Sequence, residues 1–247
     1  MESHQVYSLA EWLRSPLGAY TLQRQREWLD ATTPDIFGYH AIQLGLTEFD
    51  LLRESRITHL HRVKPDVSEK TATVHAHFHE LPFDEHSIDL CLLPHTLEFD
   101  ANPHLVLREV DRVMRPEGRI LIVGFNPWSL YGVRRGWSST GAPWSGQFVS
   151  LVRMKDWLQL LSFEPAGGRL ACYIPPVASE KWQRRLGFLD TIGDRWWGVA
   201  GGVYMLEAVK RVQGMRLIAP KWSDRVKPER KYAAAANRAS GHLRVIK

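Results

Sequence analysis

The sequence predicts a doubly wound α/β domain built on a mostly parallel sheet, and three observations carry that expectation. Strand-like and helix-like segments alternate between residues 36 and 125. Two runs, SIDLCLL (87–93) and GRILIVGF (118–125), are almost continuously apolar, as strands covered on both faces of a parallel sheet are. Between them, ANPHLVLREVDRVM (101–114) repeats Leu105, Val106, Val110, Val113 and Met114 at helical spacing, and Pro116-Glu117-Gly118 ends it. Such alternation places a ligand beyond the carboxyl ends of the strands, where the strand order reverses.

The other elements follow in order. SLAEWLRSPLGAYTLQRQREWLDAT (8–32) has the spacing of one or two amphipathic helices broken at Pro16, with Leu17, Tyr20, Leu22 and Trp28 as candidate buried positions. A strand is expected near 39–44, a short helix near 47–54, and strands over 56–62 (RITHLHR) and 71–78 (TATVHAHF). No internal repeat or long linker divides residues 36–210. The expected organisation is a helical cap over 1–35, an α/β domain over 36–212 with insertions at 126–148 and 177–197, and a basic, partly disordered tail over 213–247.

Composition narrows the class. An apolar fraction of 44% suits a globular chain of 247 residues, and ten tryptophans point to a core plus a pocket or contact surface. Net charge is +5, but residues 210–247 hold eleven Lys/Arg against two Asp/Glu, so the rest of the chain is acidic at −4. That tail reads as a solvated extension. Nucleic-acid association through it is the weaker partner reading, because only Trp222 and Tyr232 interleave with its charge. Cys91 and Cys172 lie in apolar strand-like runs and read as reduced thiols of a cytoplasmic protein. MESHQVYSLAEW lacks the basic start and apolar stretch of a signal peptide, and no apolar run reaches the roughly 18 residues of a membrane span.

The block ELPFDEHSIDLCLLPHTLEFDANPHLVLREVDRVMRPEGRILIVGFNPWS (80–129) resembles the second half of a class I S-adenosylmethionine-dependent methyltransferase, nearest the branch of small-molecule and ubiquinone-type enzymes. Leu81-Pro82-Phe83, the strand-opening Asp89, His95-Thr96-Leu97-Glu98-Phe99, the helix from Leu107 to Gly118 and the strand Ile120–Val123 follow in the family's order. MKDWLQLLSFEPAGGRLACY is similar to its late helix and sixth strand, and GGVYMLEAVKRV to its closing antiparallel strand. The resemblance implies a seven-stranded Rossmann-like sheet, S-adenosylmethionine as cofactor with S-adenosylhomocysteine as product, and a small-molecule acceptor.

Carried over residue by residue, the family's cofactor contacts fall on Gln43, Gly45, Leu46 and Thr47 after the first strand, on His77, His79, Glu80 and Leu81 after the third, and on Pro94 at the end of the fourth. The first-strand loop departs from the family's acidic residue and G-x-G-x-G: QLGLTEF keeps only Gly45. After the second strand, Arg62 and Lys64 stand where a ribose-binding carboxylate is expected. Two accounts follow, a methyltransferase with a variant loop, and a binding or regulatory protein that keeps the fold without the cofactor. His95, at a strand end, is the first candidate for a catalytic base and Glu98 the second. Tyr20 on the cap and Trp128, Tyr131 and Arg134 on the 126–148 insertion are the candidate acceptor contacts. His75, His77 and His79 alternate, as do His59 and His61, but without a C-x-x-C or H-E-x-x-H pattern they read as sheet-edge histidines and no metal is assigned.

Overall fold

The computed structural model describes residues 9–65, 70–137, 141–176 and 200–211. The chain divides into two units, Met1–Val212 and Gln213–Lys247. The basic tail and the 177–197 insertion lie outside the described residues. Seven strands form one sheet: β1 (His40–Leu44), β2 (His59–Lys64), β3 (Val74–His75), β4 (Ile88–Pro94), β5 (Met114–Phe125), β6 (Phe163–Ala171) and β7 (Val203–Lys210). Their spatial order is β3-β2-β1-β4-β5-β7-β6. β1 runs parallel to β2 and β4, and β5 to β4, while β7 is antiparallel to both β5 and β6. The doubly wound sheet with an antiparallel final strand is therefore the one the sequence led us to expect.

Burial explains the pattern. Along β4, Leu90 and Leu92 face one apolar cluster, while Cys91 and Leu93 face the other. Along β5, Leu121 and Val123 alternate with Ile120 and Ile122 in the same way. Period-two alternation between two buried faces produces the continuous apolar runs read in the sequence. Both cysteines are buried and free, and burial pushes the Cys91 thiol pKa up.

The first face is covered by helix α1 (Pro16–Thr32), preceded by a helical turn over 9–13. The break is at Pro16: Ser15 Oγ accepts the Gly18 amide at 3.2 Å, and proline occupies the first turn, where its missing N–H is harmless. Gly18 lets the two segments touch, because a Cβ there would stand 2.0 Å from the Trp12 carbonyl oxygen. Leu17, Leu22 and Leu29 enter the core shared with β4 and β5, with Tyr20 and Trp28 packed at its edge. A short helix, α2 (Thr96–Phe99), follows β4, and the second face is covered by α3 (Pro103–Val113) and α5 (Leu151–Leu160).

Three local expectations are corrected. No helix forms over 47–54; the segment is a series of turns. The strand expected over 71–78 is confined to Val74–His75, so His75, His77 and His79 do not share a strand face. β5 begins at Met114, directly after α3, with a register shift opposite Ile88 and Leu90, and so absorbs Pro116-Glu117-Gly118. Arg112 anchors this region: its Nη2 donates to Glu109 Oε1 at 2.6 Å and to the Leu81 and Phe83 carbonyls at 3.1 Å.

Candidate functional site

β1 has β2 on one side and β4 on the other, although β4 comes later in the chain. The carboxyl ends of β1, β2 and β4 therefore frame the place where strand order reverses and α/β sheets hold their ligands. Gly45 stands at the β1 end with φ +85°, and its N–H donates to the Val63 carbonyl at 3.0 Å. Leu46 follows at φ +46°. A residue other than glycine is rare there, and two such steps in succession turn the chain away from a helical start.

Gln43 closes this loop from inside. Its Nε2 donates to the carbonyls of Gly45 (3.2 Å), Leu46 (2.9 Å) and Phe49 (3.1 Å), and its Oε1 accepts the Leu51 N–H at 3.4 Å. A carboxylate has no proton to give to carbonyls. The Gln43 carboxamide thus organises a series of turns after β1. Gln43 is thus an internal staple, turned into the loop.

Thr47 is buried with its hydroxyl 2.8 Å from that of Thr71. Next to it, Glu48 Oε1 accepts from Lys64 Nζ at 2.7 Å. Both side chains are at least nine-tenths buried, at 10% and 3% exposure, and the second oxygen, Glu48 Oε2, is buried without a hydrogen-bond partner among the described residues. Arg62, the other basic residue of β2, turns to Asp50 at 2.9 Å. After β3, His77 and Glu80 are exposed, whereas His79 Nε2 lies 2.9 Å from Asp100 Oδ1, whose side chain is buried. Leu81 is buried, its N–H donating to Glu109 at 2.8 Å.

Pro94 ends β4, and His95 follows it at φ +56°. The His95 ring is buried and stacks on Phe125 at 4.2 Å. Gln25 Nε2 of α1 lies 2.8 Å from His95 Nε2. On its other side His95 Nδ1 lies 2.8 Å from Glu98 Oε2. Glu98 Oε1 accepts the Phe125 N–H. Burial pushes the Glu98 carboxyl pKa up, opposed by His95 and by the Phe125 N–H. Both imidazole nitrogens are thus engaged within the protein. The hydroxyl of Thr96 donates to the Leu44 carbonyl across the β1–β4 junction.

The acceptor candidates separate. Tyr131 is buried on helix α4 (Leu130–Trp137), its hydroxyl 3.3 Å from that of Thr21. Trp128 is exposed, Arg134 lies over the Trp144 ring at 5.1 Å, and Tyr20 packs at the core edge. Among the described residues no group of three or more His, Cys, Asp or Glu could hold a metal ion.

A methyltransferase-domain family model matches residues 46–122. Uncharacterized protein YafS of Escherichia coli (strain K12) is 32% identical over 155 residues, 62% of this chain and 64% of that one. Demethylmenaquinone methyltransferase of Chlamydia pneumoniae is 28% identical over 81 residues, 31% of this chain and 35% of that one. The chain spans less than two thirds of the length of these relatives. A solved S-adenosylmethionine-dependent methyltransferase from Archaeoglobus fulgidus superposes with a TM-score of 0.52 at 19% identity, covering 75% of this chain and 94% of that one. Part of the chain thus matches a methyltransferase-domain model, and its fold is that of a class I methyltransferase.

Within a methyltransferase crevice, S-adenosylmethionine asks for backbone at the β1 loop and an acceptor for its ribose hydroxyls at the β2 end. Lys64 has the wrong charge for the second task, but Glu48 brings a carboxylate to the same strand end, and its unpartnered Oε2 is an acceptor without a donor. A buried carboxylate oxygen left unpaired is costly, and a hydroxyl would satisfy it. The donor set of this chain therefore fits the cofactor, with the acidic group supplied by the loop. Sequence reading missed Glu48 because it occupies a wildcard position between glycines. The signal was Lys64, since a lysine entering a buried strand end needs a carboxylate partner.

Proposed function

We propose that the chain is an S-adenosylmethionine-dependent methyltransferase acting on a small-molecule acceptor. The observation that carries this reading is the Glu48–Lys64 pair, with its spare carboxylate oxygen, at the carboxyl end of β2. Bound S-adenosylmethionine would supply an electrophilic methyl group on a sulfonium. The Gly45–Leu46 backbone would receive its amino-acid end, Glu48 its ribose hydroxyls, and the His79–Asp100 pair its adenine. With both His95 nitrogens engaged, His95 and Glu98 act as positioning residues that fix the end of β4 against α1 and β5. The acceptor then needs to be nucleophilic already, and positioning with exclusion of water supplies the rate.

Isothermal titration with S-adenosylhomocysteine and S-adenosylmethionine tests this. Saturable binding is expected, with Glu48→Gln weakening it about tenfold, or about 1.4 kcal/mol. A folded protein that binds neither at about millimolar concentration, an affinity of about −4 kcal/mol, sinks the reading. A methyltransferase-fold binding protein is then the alternative. The loop sealed by Gln43, without a helix N-terminus to face an anionic group, favours that second reading.

A further inference from the structure

Helix α4 is turned the wrong way for a free-standing surface helix. Tyr131 points into the core, while Arg134 and Arg135 fold back over Trp144 (5.1 Å) and Phe148 (5.4 Å). Arg135 Nε also donates to the Gly146 carbonyl at 2.7 Å. The apolar residues point outward: Leu130 is 49%, Val133 51% and Trp137 87% exposed, and Trp128, just before the helix, is 79% exposed. Leu130, Val133 and Trp137 follow i, i+3, i+7 spacing and share one face. Because Tyr131 and Arg135, on the other side of the helix, are fixed against the body, the outward face cannot rotate inward. An exposed patch holding two tryptophans calls for an occupant.

Charge selects the occupant. The segment 126–148 contains two arginines and no aspartate or glutamate. Residues 213–247, considered alone, contain nine Lys/Arg against two Asp/Glu. An apolar face with tryptophans and no carboxylate, in a chain that also carries a polybasic stretch, is the two-signal pattern of attachment to an anionic bilayer surface. No described helix is long and apolar enough to cross a membrane, so such attachment would be interfacial. We propose that the α4 face, with Trp128 and Trp137 as its anchors, docks the protein on the surface of an anionic lipid bilayer. The docking face follows β5, at the carboxyl end of that strand. This docking is independent of whether the crevice binds a nucleoside.

Co-sedimentation of the full chain with vesicles of phosphatidylcholine and phosphatidylglycerol, against vesicles of phosphatidylcholine alone, tests the docking. Sedimentation with the anionic vesicles is expected, falling about tenfold or more in the double variant Trp128→Glu/Trp137→Glu as the apolar contact is lost. Circular dichroism and thermal unfolding of that variant should match the parent, since both side chains are exposed. Equal sedimentation of parent and double variant overturns the proposal, as does equal binding to neutral and anionic vesicles. A self-association abolished by the double variant, without vesicle binding, assigns the face to a second copy and also overturns it. RNA binding without vesicle binding has the same force, because it leaves the tail charge serving another polyanion.

Discussion

Replacing Glu98 by leucine should expose how much the β4 end depends on one carboxylate. Glu98 accepts from two buried donors, His95 Nδ1–H at 2.8 Å and the Phe125 N–H. Leaving each donor unpaired costs about 1–3 kcal/mol. Relief of the buried carboxylate's own desolvation offsets part of this, so a net loss of about 3 kcal/mol is expected. For a chain of this size that is a fall in Tm of about 6–12 °C. Urea denaturation of parent, Glu98→Leu and Glu98→Gln measures it; the glutamine variant, with one oxygen for two donors, should lose about half as much. The pH dependence adds a second readout. Burial holds the folded pKa of Glu98 above its ordinary value of 4.5. A carboxyl raised in this way gives stability that is present below 4.5 and lost as pH rises through the folded pKa. Glu98→Gln should remove that decline. A Glu98→Leu variant within about 0.5 kcal/mol of the parent would refute the network as a structural element.

Three further outcomes are expected. Gln43→Glu, which restores the family's acidic residue, should destabilise the chain by about 2–3 kcal/mol in urea, because it sets a carboxylate against three carbonyls; a neutral result would discredit the staple. Lys64→Met should lose about 3–5 kcal/mol by stranding Glu48, and Glu48→Gln/Lys64→Met should recover much of it; additivity of the two single changes would argue against a coupled buried pair. His61, on whose ring His40 stacks at 6.2 Å, is lowered first by burial and then by His40 and His59, and contributes stability that is complete above its ordinary 6.5 and lost as pH falls through the lowered folded value; acid titration of His40→Gln/His59→Gln should show a shallower decline, and an unchanged curve would exclude His40 and His59 as its source.

How much the sequence disclosed depended on the range of the interaction. Period-two and helical spacing in 87–125 reflect burial on both sheet faces, and residues such as Leu90, Cys91, Val106 and Val110 carry it one at a time. The helix expected over 47–54 was misread because its pattern is local, while its fate is set by the Gln43 carboxamide and by two positive φ angles. His95 was placed correctly at a strand end, yet its engagement depends on Gln25, seventy residues away. Tyr131 looked like a loop aromatic because the neighbouring tryptophans and arginines mark a surface, and only packing separates it from Trp128. Long-range partners of polar groups leave no periodicity, which is why the fold was easier to read than the site.

The two outer strands of the sheet bear on how this protein can assemble. β3 has only two residues, Val74 and His75, and so offers almost no ladder to a neighbour. At the other margin β6 carries Pro165, a register shift between Pro165 and Gly167, and the charged Glu164 and Arg169. A shortened strand at one margin, and a proline, an irregularity and charge at the other, are what keep open sheets from stacking edge to edge into fibrils. Growth of the sheet from molecule to molecule is therefore disfavoured at both margins.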